Sequence, residues 1–515
     1  MAEKGFRKFI ITFTVITASL LELIDTTIVN VALPDIMGNV GATLAEVSWV
    51  VTGYVVANVI VVPMTGWFSA HFGRKHYFAG SILLFVIASA LCGQATGIWE
   101  LVIFRAVQGI GGGALLATSQ AILVETFPPE ELGLANALFG LGAVVGPTIG
   151  PTLGGWLTDH FSWPWVFYVN VPVGLLAFML TMIYIDNPDY EHKTQKIDWW
   201  GIVLLITGVG ALQVVLERGE AEDWFATNYI IVLTILSVVG LVGFVWRELT
   251  AEHPIVDLKV LKNRNLALGS FFVFILGFGL YGSVFVFPVF TQNLLGFTAL
   301  DTGLILLPGG IATMLMMPVI GISLKKKVPP QYIAMLGMVI FFWFSVMLSK
   351  ETLSSGRHDF FWPLIIRGVG LGCLFVPLTT IALSGLKGKD IAQGSGLTNM
   401  IRQLGGSFGV ALIATFIDRR NVYHRSTLVE HISQYEPVAR QRIQQFTASF
   451  MASGSSTGEA QAKAYKLLDL TIMKQTYLMS YTDAFYIVGV FFLLCIPLLF
   501  LTRHNNGNGP APPVH

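Results

Sequence analysis

The chain has 515 residues, of which 54% are hydrophobic and 12% charged, with a formal net charge of zero. That balance excludes an ordinary soluble domain and gives no reason to expect nucleic acid as a partner. Its three cysteines, Cys92, Cys373 and Cys495, all fall in apolar runs, so neither a disulfide framework nor a metal-ligand spacing is present.

The first apolar run extends from about Phe9 to Leu33, long enough to cross the roughly 30 Å hydrocarbon core as a helix. It has a basic flank (Lys4, Arg7, Lys8), but it is too long for a signal-peptide core and lacks a small-residue cleavage site. A retained spanning helix is therefore expected. Glu22 and Asp25 lie inside this run, where a carboxylate costs roughly 2.5–3.5 kcal/mol on insertion scales. Ser19, Glu22, Asp25, Thr26 and Asn30 follow at helical spacings and form one polar stripe. The stripe reads either as a protonatable site facing a water-filled cavity or as a structural ion pair inside a bundle.

Fourteen apolar segments of about 20 residues are found, the last centred near residue 492, so the chain is expected to be an all-α polytopic membrane protein. An even number puts both termini on one side. With the amino terminus inside, the short inner loops and tails hold seventeen lysines and arginines, and the short outer loops hold three: Arg218, Lys350 and Arg357. The positive-inside rule places both termini in the cytoplasm.

The chain repeats itself. Pro34, Pro63 and Gly66 are matched by Pro288, Pro318 and Gly321, and Arg105 and Asn136 by Arg367 and Asn399, at an offset close to about 260 residues. Helices 1–6 (residues 1–186) then correspond to helices 9–14 (residues 249–515), with helices 7 and 8 (residues 187–248) inserted between the halves. Two parallel six-helix halves around a central site suit a rocking alternating-access transporter. In helix 5, Gly142, Gly146, Gly150 and Gly154 recur every four residues with Pro147 and Pro151 between them. One face is thus nearly bare over about 18 Å, which lets a neighbouring helix approach closely.

GLGAVVGPTIGPTLGG resembles the antiporter motif of the major facilitator superfamily, and IDTTIVNVALP resembles the first-helix motif of its fourteen-helix drug:proton antiporters. FRAVQGIGGGALL resembles the motif that holds a helix-4 arginine, and the whole chain is similar to EmrB-type exporters. GWFSAHFGRK keeps Gly66, Gly73, Arg74 and Lys75 of the loop 2–3 gating motif, but Ala70 and His71 stand where aspartate and arginine are usual. The resemblance implies a major facilitator fold and efflux of lipophilic drugs or other toxic amphiphiles driven by the proton-motive force. It also implies a bacterial inner-membrane location, an EmrA-like periplasmic adaptor and a TolC-like outer-membrane channel. Protons are the coupling ion and no cofactor is expected. A proton-coupled importer and a non-transporting sensor of the same fold stay open as alternatives.

Asp25 and Arg105 lie at similar depth by helical rise, so they can meet. Asp25 is expected to be the principal proton carrier, Glu22 to share the proton or to contact cationic substrate, and Arg105 to tune the pair. The position matching Asp25 in the second half, near Gly279, carries no acid. Asn30, Tyr54, Asn58, Gln108, Tyr281 and Gln292 are candidates for a substrate cavity. The hydrophilic stretch 419–481 is expected to form an outer helical hairpin with one stripe through Val438, Ile443, Phe446 and Phe450 and a second through Leu467, Leu470 and Met473. No phosphate-cradling loop, nucleophile-base-acid set or metal-spaced histidine cluster is found, so neither ATP-driven pumping nor enzymatic chemistry is expected.

Overall fold

The computed structural model describes residues 5–187, 197–386, 389–430, 432 and 435–501. Among these are fourteen helices long and apolar enough to cross a membrane. The first half holds α1 (Gly5–Val40), α2 (Ala45–Phe72), α3 (Arg74–Cys92), α4 (Ile98–Thr126), α5 (Leu132–His160) and α6 (Trp165–Tyr184). The inserted pair is α7 (Trp199–Arg218) and α8 (Asn228–Thr250). The second half holds α9 (Arg264–Leu294), α10 (Leu300–Lys325), α11 (Pro330–Leu348), α12 (Phe361–Leu383), α13 (Asp390–Glu430) and α14 (Thr457–Phe500). The face on which α1 begins is called the near side. Of the cations that orient the chain, Lys4, Lys193, Lys196, Lys387 and Arg503 lie outside the described residues.

Local chemistry sets where the spans begin. The Asp198 side chain accepts from Gly201 N before α7, Asn263 from Asn265 N and Leu266 N at α9, and Thr298 from Asp301 N at α10. Ser456 and Glu459 form a capping box at α14. Only Gly73 separates α2 from α3, at φ 80°, where a side chain is strained.

The helix packing repeats with the sequence. As α1 lies on α5, so α9 lies on α13; α4 packs on α2 and α3 as α12 packs on α10 and α11; α3 meets α6 as α11 meets α14. This is the major facilitator fold, two six-helix halves with two helices inserted. The inserted pair bonds to both halves. Arg218 donates to the Ala45 carbonyl and the Ser48 hydroxyl of the first half, while Gln213 donates to Ser407 at 2.6 Å and Trp224 to Thr415 at 2.9 Å in the second.

The glycine face of α5 lies against α1, within the first half. A Cβ on Gly146 would stand 2.5 Å from Leu23 Cβ, on Gly150 2.0 Å from Thr27 Oγ1, and on Gly154 2.6 Å from the Ile28 carbonyl oxygen. At Gly142 the nearest atom is 3.6 Å away, so the contact is tight only from Gly146 onward. The opposite face of α5 meets α10 of the other half, through Gly133 near Leu324 and Thr152 near Gly303.

On the far side, α13 and α14 run to 41 and 44 residues, about twice the length the hydrocarbon core needs. The helix Pro437–Ala452 packs on α14 between them, giving the expected hairpin. Two stripe positions differ from expectation. Val438 and Leu470 point outward, 76% and 45% exposed, and the small residues Ala439, Ala460 and Ala464 are buried instead. Alanines bring the two helices closer than a leucine-sized seam allows.

Gly154→Ala places a methyl against backbone and is expected to lower stability by about 1–3 kcal/mol. Gly155→Ala, whose Cβ would meet only Val31 Cγ1 at 3.7 Å, is expected to be neutral. Thermal unfolding of the two purified variants checks the difference.

Candidate functional site

Asp25 is fully buried and every bond it makes is accepted from a donor on another helix. Arg105 Nη1 of α4 donates to Oδ2 at 2.5 Å, and Gln108 Nε2 and Asn170 Nδ2 donate to Oδ1 at 2.9 and 2.8 Å. Arg105 also donates to the Val50 carbonyl at 3.2 Å and to Gln108 Oε1 at 2.7 Å, and its guanidinium lies 4.2 Å from the Tyr54 ring centroid. Asn170 of α6 donates in addition to Ser89 Oγ, which donates to the Phe167 carbonyl. Asp25 therefore ties α1 to α4 and α6, and Arg105 ties α4 to α2. Of the two readings of the polar stripe, the arrangement seen is a buried ion pair, with three donors enclosing Asp25.

Glu22, one turn nearer the near side, is placed differently. Asn58 Nδ2 of α2 donates to Oε1 at 3.0 Å, but Oε2 is buried without a hydrogen-bond partner, as is the Tyr54 hydroxyl. Asn58 Oδ1 accepts from Gln403 Nε2 of α13 at 2.8 Å, so this cluster reaches the second half. Tyr281 of α9 faces Arg402 of α13. The structure thus gathers Asp25, Arg105 and Gln108 into one network and Glu22, Tyr54 and Asn58 beside it. Asn30 is exposed, and Gln292 sits half-buried in a π-helical turn (Phe290–Leu294) with no bond to either cluster.

In the second half, Arg367 donates through Nε to Ser283 Oγ at 3.1 Å. Ser283, one turn beyond Gly279, is the structural counterpart of Asp25, and it too is no acid. Among the described residues, the buried carboxylates of this centre, Glu22 and Asp25, lie in the first half.

The halves are closed against each other on the near side. Asn136 of α5 donates to Thr380 of α12 at 3.1 Å, and Asn399 of α13 donates to Gln120 Oε1 of α4 at 2.6 Å. These are the two asparagines related by the internal repeat. Gly66 fits against Gln393 of α13, where a Cβ would be 3.0 Å away. Arg74 makes a two-pronged bond to Glu125, at 2.5 and 3.1 Å, and His71 stacks on Trp67 at 4.8 Å. At the near-side rim Glu131 accepts from Lys325 of the other half at 2.8 Å and from Lys8 at 2.9 Å. These two lysines pull the Glu131 carboxyl down to about 2.

Asn170, Gln120 and Arg402 carry weight that the sequence does not announce, whereas Asn399 is marked by the internal repeat. Arg402 had a usable signal, a cation inside a spanning segment; Asn170 and Gln120 had none, because their partners lie on helices distant in sequence.

Comparison with known proteins gives a consistent answer. The sequence model of the Major Facilitator Superfamily matches residues 15–410. The chain is 34% identical over 505 residues to the multidrug export protein EmrB of Haemophilus influenzae, covering 97% of this chain and 96% of that one. It is 33% identical over 511 residues to EmrB of Escherichia coli, covering 98% and 97%. It is also 33% identical over 515 residues to the fatty acid resistance protein FarB of Neisseria gonorrhoeae, covering 98% and 99%. Among solved structures, the human organic anion transporter MFSD10 (TETRAN) superposes with a TM-score of 0.60 over 96% of this chain and 99% of that one. At 13% identity that likeness concerns the fold alone.

Arg105→Ala strands the Asp25 carboxylate and is expected to cost about 3–5 kcal/mol. The double variant Asp25→Asn/Arg105→Gln, which leaves no buried charge, is expected to recover most of it, as read from thermal unfolding. A depressed carboxyl stabilises above its ordinary value of about 4.3 and stops doing so as pH falls through its folded value. The stability difference between wild type and Glu131→Gln should therefore hold from neutral pH down to about pH 5 and shrink toward pH 2.

Proposed function

This chain belongs to the major facilitator superfamily, and we propose that it exports lipophilic or amphiphilic small molecules across a bacterial inner membrane in exchange for protons, with both termini in the cytoplasm. The observation that carries the reading is the buried Asp25–Arg105 pair in the first half of a two-fold repeated bundle, with no acid at its counterpart Ser283. The whole-length likeness to proteins named for multidrug export supports the direction and the substrate class.

The pair works by competition. With Asp25 ionised, Arg105 is held to it and α1, α4 and α6 are pinned together. A proton on Oδ2 takes the place of the Arg105 bond and removes the charge that held the guanidinium. Arg105 keeps its bonds to Gln108 and to the Val50 carbonyl, so the arginine stays buried while the tie between α1 and α4 is reduced to the neutral Gln108 bond on Oδ1. Release of the proton toward the cytoplasm restores the pin. Because the near side is closed here, the proton is assigned a route to Asp25 from the far side, along which its three donors must part. The near-side contacts of Asn136, Asn399 and Gly66 must part when the cavity opens inward. Tyr54 and Asn58 border this centre and Tyr281 faces it from the second half, whereas Asn30 is assigned to the far-side approach. One charge moved through 100 mV supplies about 2.3 kcal/mol, enough for useful concentration of solute. The far-side hairpin, with Tyr435 85% and Val438 76% exposed, is assigned to docking an adaptor that leads to an outer-membrane channel.

The test is transport in proteoliposomes with ethidium as the probe cation and an imposed acid gradient. Wild type is expected to move ethidium against its gradient while dissipating the proton gradient, and Asp25→Asn to do neither. Full coupled transport by Asp25→Asn would sink the assignment.

A further inference from the structure

The bonds that close the near side lead back to an unassigned cation. Arg402 of α13 is 2% exposed, and among the described residues no carboxylate bonds to it. Its Nη2 donates to Asn399 Oδ1 at 2.6 Å, its Nε has no partner, and its guanidinium lies 5.7 Å from the Phe139 ring and 5.4 Å from the Phe375 ring. Asn399 in turn donates to Gln120 of α4 at 2.6 Å, and Ser395 donates to Gln120 at 3.1 Å. Arg402 thus sets the side chain that fastens α13 to α4. The charge acting on Arg402 from the first half is Glu22, whose Oε2 is buried and unpartnered. The pair is bracketed by a direct bond between the same helices' neighbours, Gln403 to Asn58, whose amide holds the other Glu22 oxygen.

We infer that Glu22 is a second proton-binding carboxyl, and that Arg402 is the positioning residue that reads its charge across the interface, fastening α13 to α4 through Asn399 and Gln120 while Glu22 is ionised. A buried carboxylate with one bare oxygen and a buried guanidinium short of partners attract each other in a low-dielectric gap. A proton on Oε2 removes that attraction and leaves Arg402 with Asn399, Tyr281 and the two rings. The other charged or titratable groups that act on this carboxyl are Asp25 on its own helix, Tyr54 from α2 and Tyr281 from α9; Arg105 of α4 acts on Asp25 and Tyr54. Tyr54, Tyr281 and Arg105 are phenols and an arginine; Asp25 is the other carboxyl here, and the Asp25→Asn variant separates its contribution from that of Glu22.

This inference rests on the proton-coupled reading above, but its test needs no transport. Spin labels at Glu130→Cys and Lys326→Cys, on opposite halves at the near side, report closure by pulsed dipolar spectroscopy in the full-length chain in nanodiscs without substrate. Wild type is expected to show a near-side-closed population about fivefold larger at about pH 9 than at about pH 6. Glu22→Gln, which keeps the Asn58 contact, and Arg402→Gln are each expected to abolish that dependence. The double variant should behave as either single, and Arg402→Lys should retain the dependence. A pH dependence that survives Glu22→Gln, or one lost only in Asp25→Asn, overturns the inference and leaves the exporter reading intact. Loss of ethidium-proton exchange with the closure profile preserved overturns the exporter reading alone.

Discussion

An ionised carboxylate in an apolar bundle has to be met by donors, and Asp25 is met by three, drawn from α4 and α6. Most of the first half is arranged to permit this. Arg105 reaches Asp25 because α4 packs between α2 and α3, and it spends its remaining donors on Gln108 and the Val50 carbonyl. The bare face of α5 lets α1 sit a methyl group's width closer than ordinary side chains allow, which fixes the depth and rotation at which Glu22 and Asp25 are presented. The same acid that costs insertion energy is thereby the device that holds three helices in register.

The two halves share a fold and divide the chemistry. Where Asp25 meets Arg105, Ser283 meets Arg367, a guanidinium donating to an uncharged hydroxyl at the same place. Both halves contribute the contacts that close the near side, and these obey the repeat: Asn136 crosses to α12 and Asn399 to α4. A symmetric seal operated from an asymmetric charge site gives proton binding in one half a mechanical consequence in both. Of the inserted pair, α7 bonds to α2 and α13 on the far side and the loop after it to α13, bridging the seam, while α8 packs on α7 and leaves its other face exposed.

Much of this was legible in the sequence because it rests on period and cost. Fourteen spans follow from apolar length, the repeat from proline, glycine and arginine spacing, and the intramembrane acids from their expense. The meeting of Asp25 with Arg105 follows from depth alone. Other features were not legible, for physical reasons. That Asn136 and Asn399 cross between halves depends on helix rotation, which spacing does not give. Asn170 joins Asp25 from 145 residues away, a pairing that no local pattern encodes. The hairpin's helices were readable as amphipathic, but Val438 and Leu470 were assigned to the buried stripe because large apolar residues outweigh alanine in any hydropathy count, whereas close packing selects the alanines.

The most direct test of the central claim is proton release on ligand addition, with no membrane gradient present. Purified chain in weakly buffered detergent solution is mixed with ethidium at a series of starting pH values, and the pH change is recorded for wild type and Asp25→Asn. Proton-for-solute exchange through Asp25 predicts release from wild type and none from Asp25→Asn, with ethidium still bound. Ethidium binding to wild type without proton release, or equal release from the variant, would contradict it.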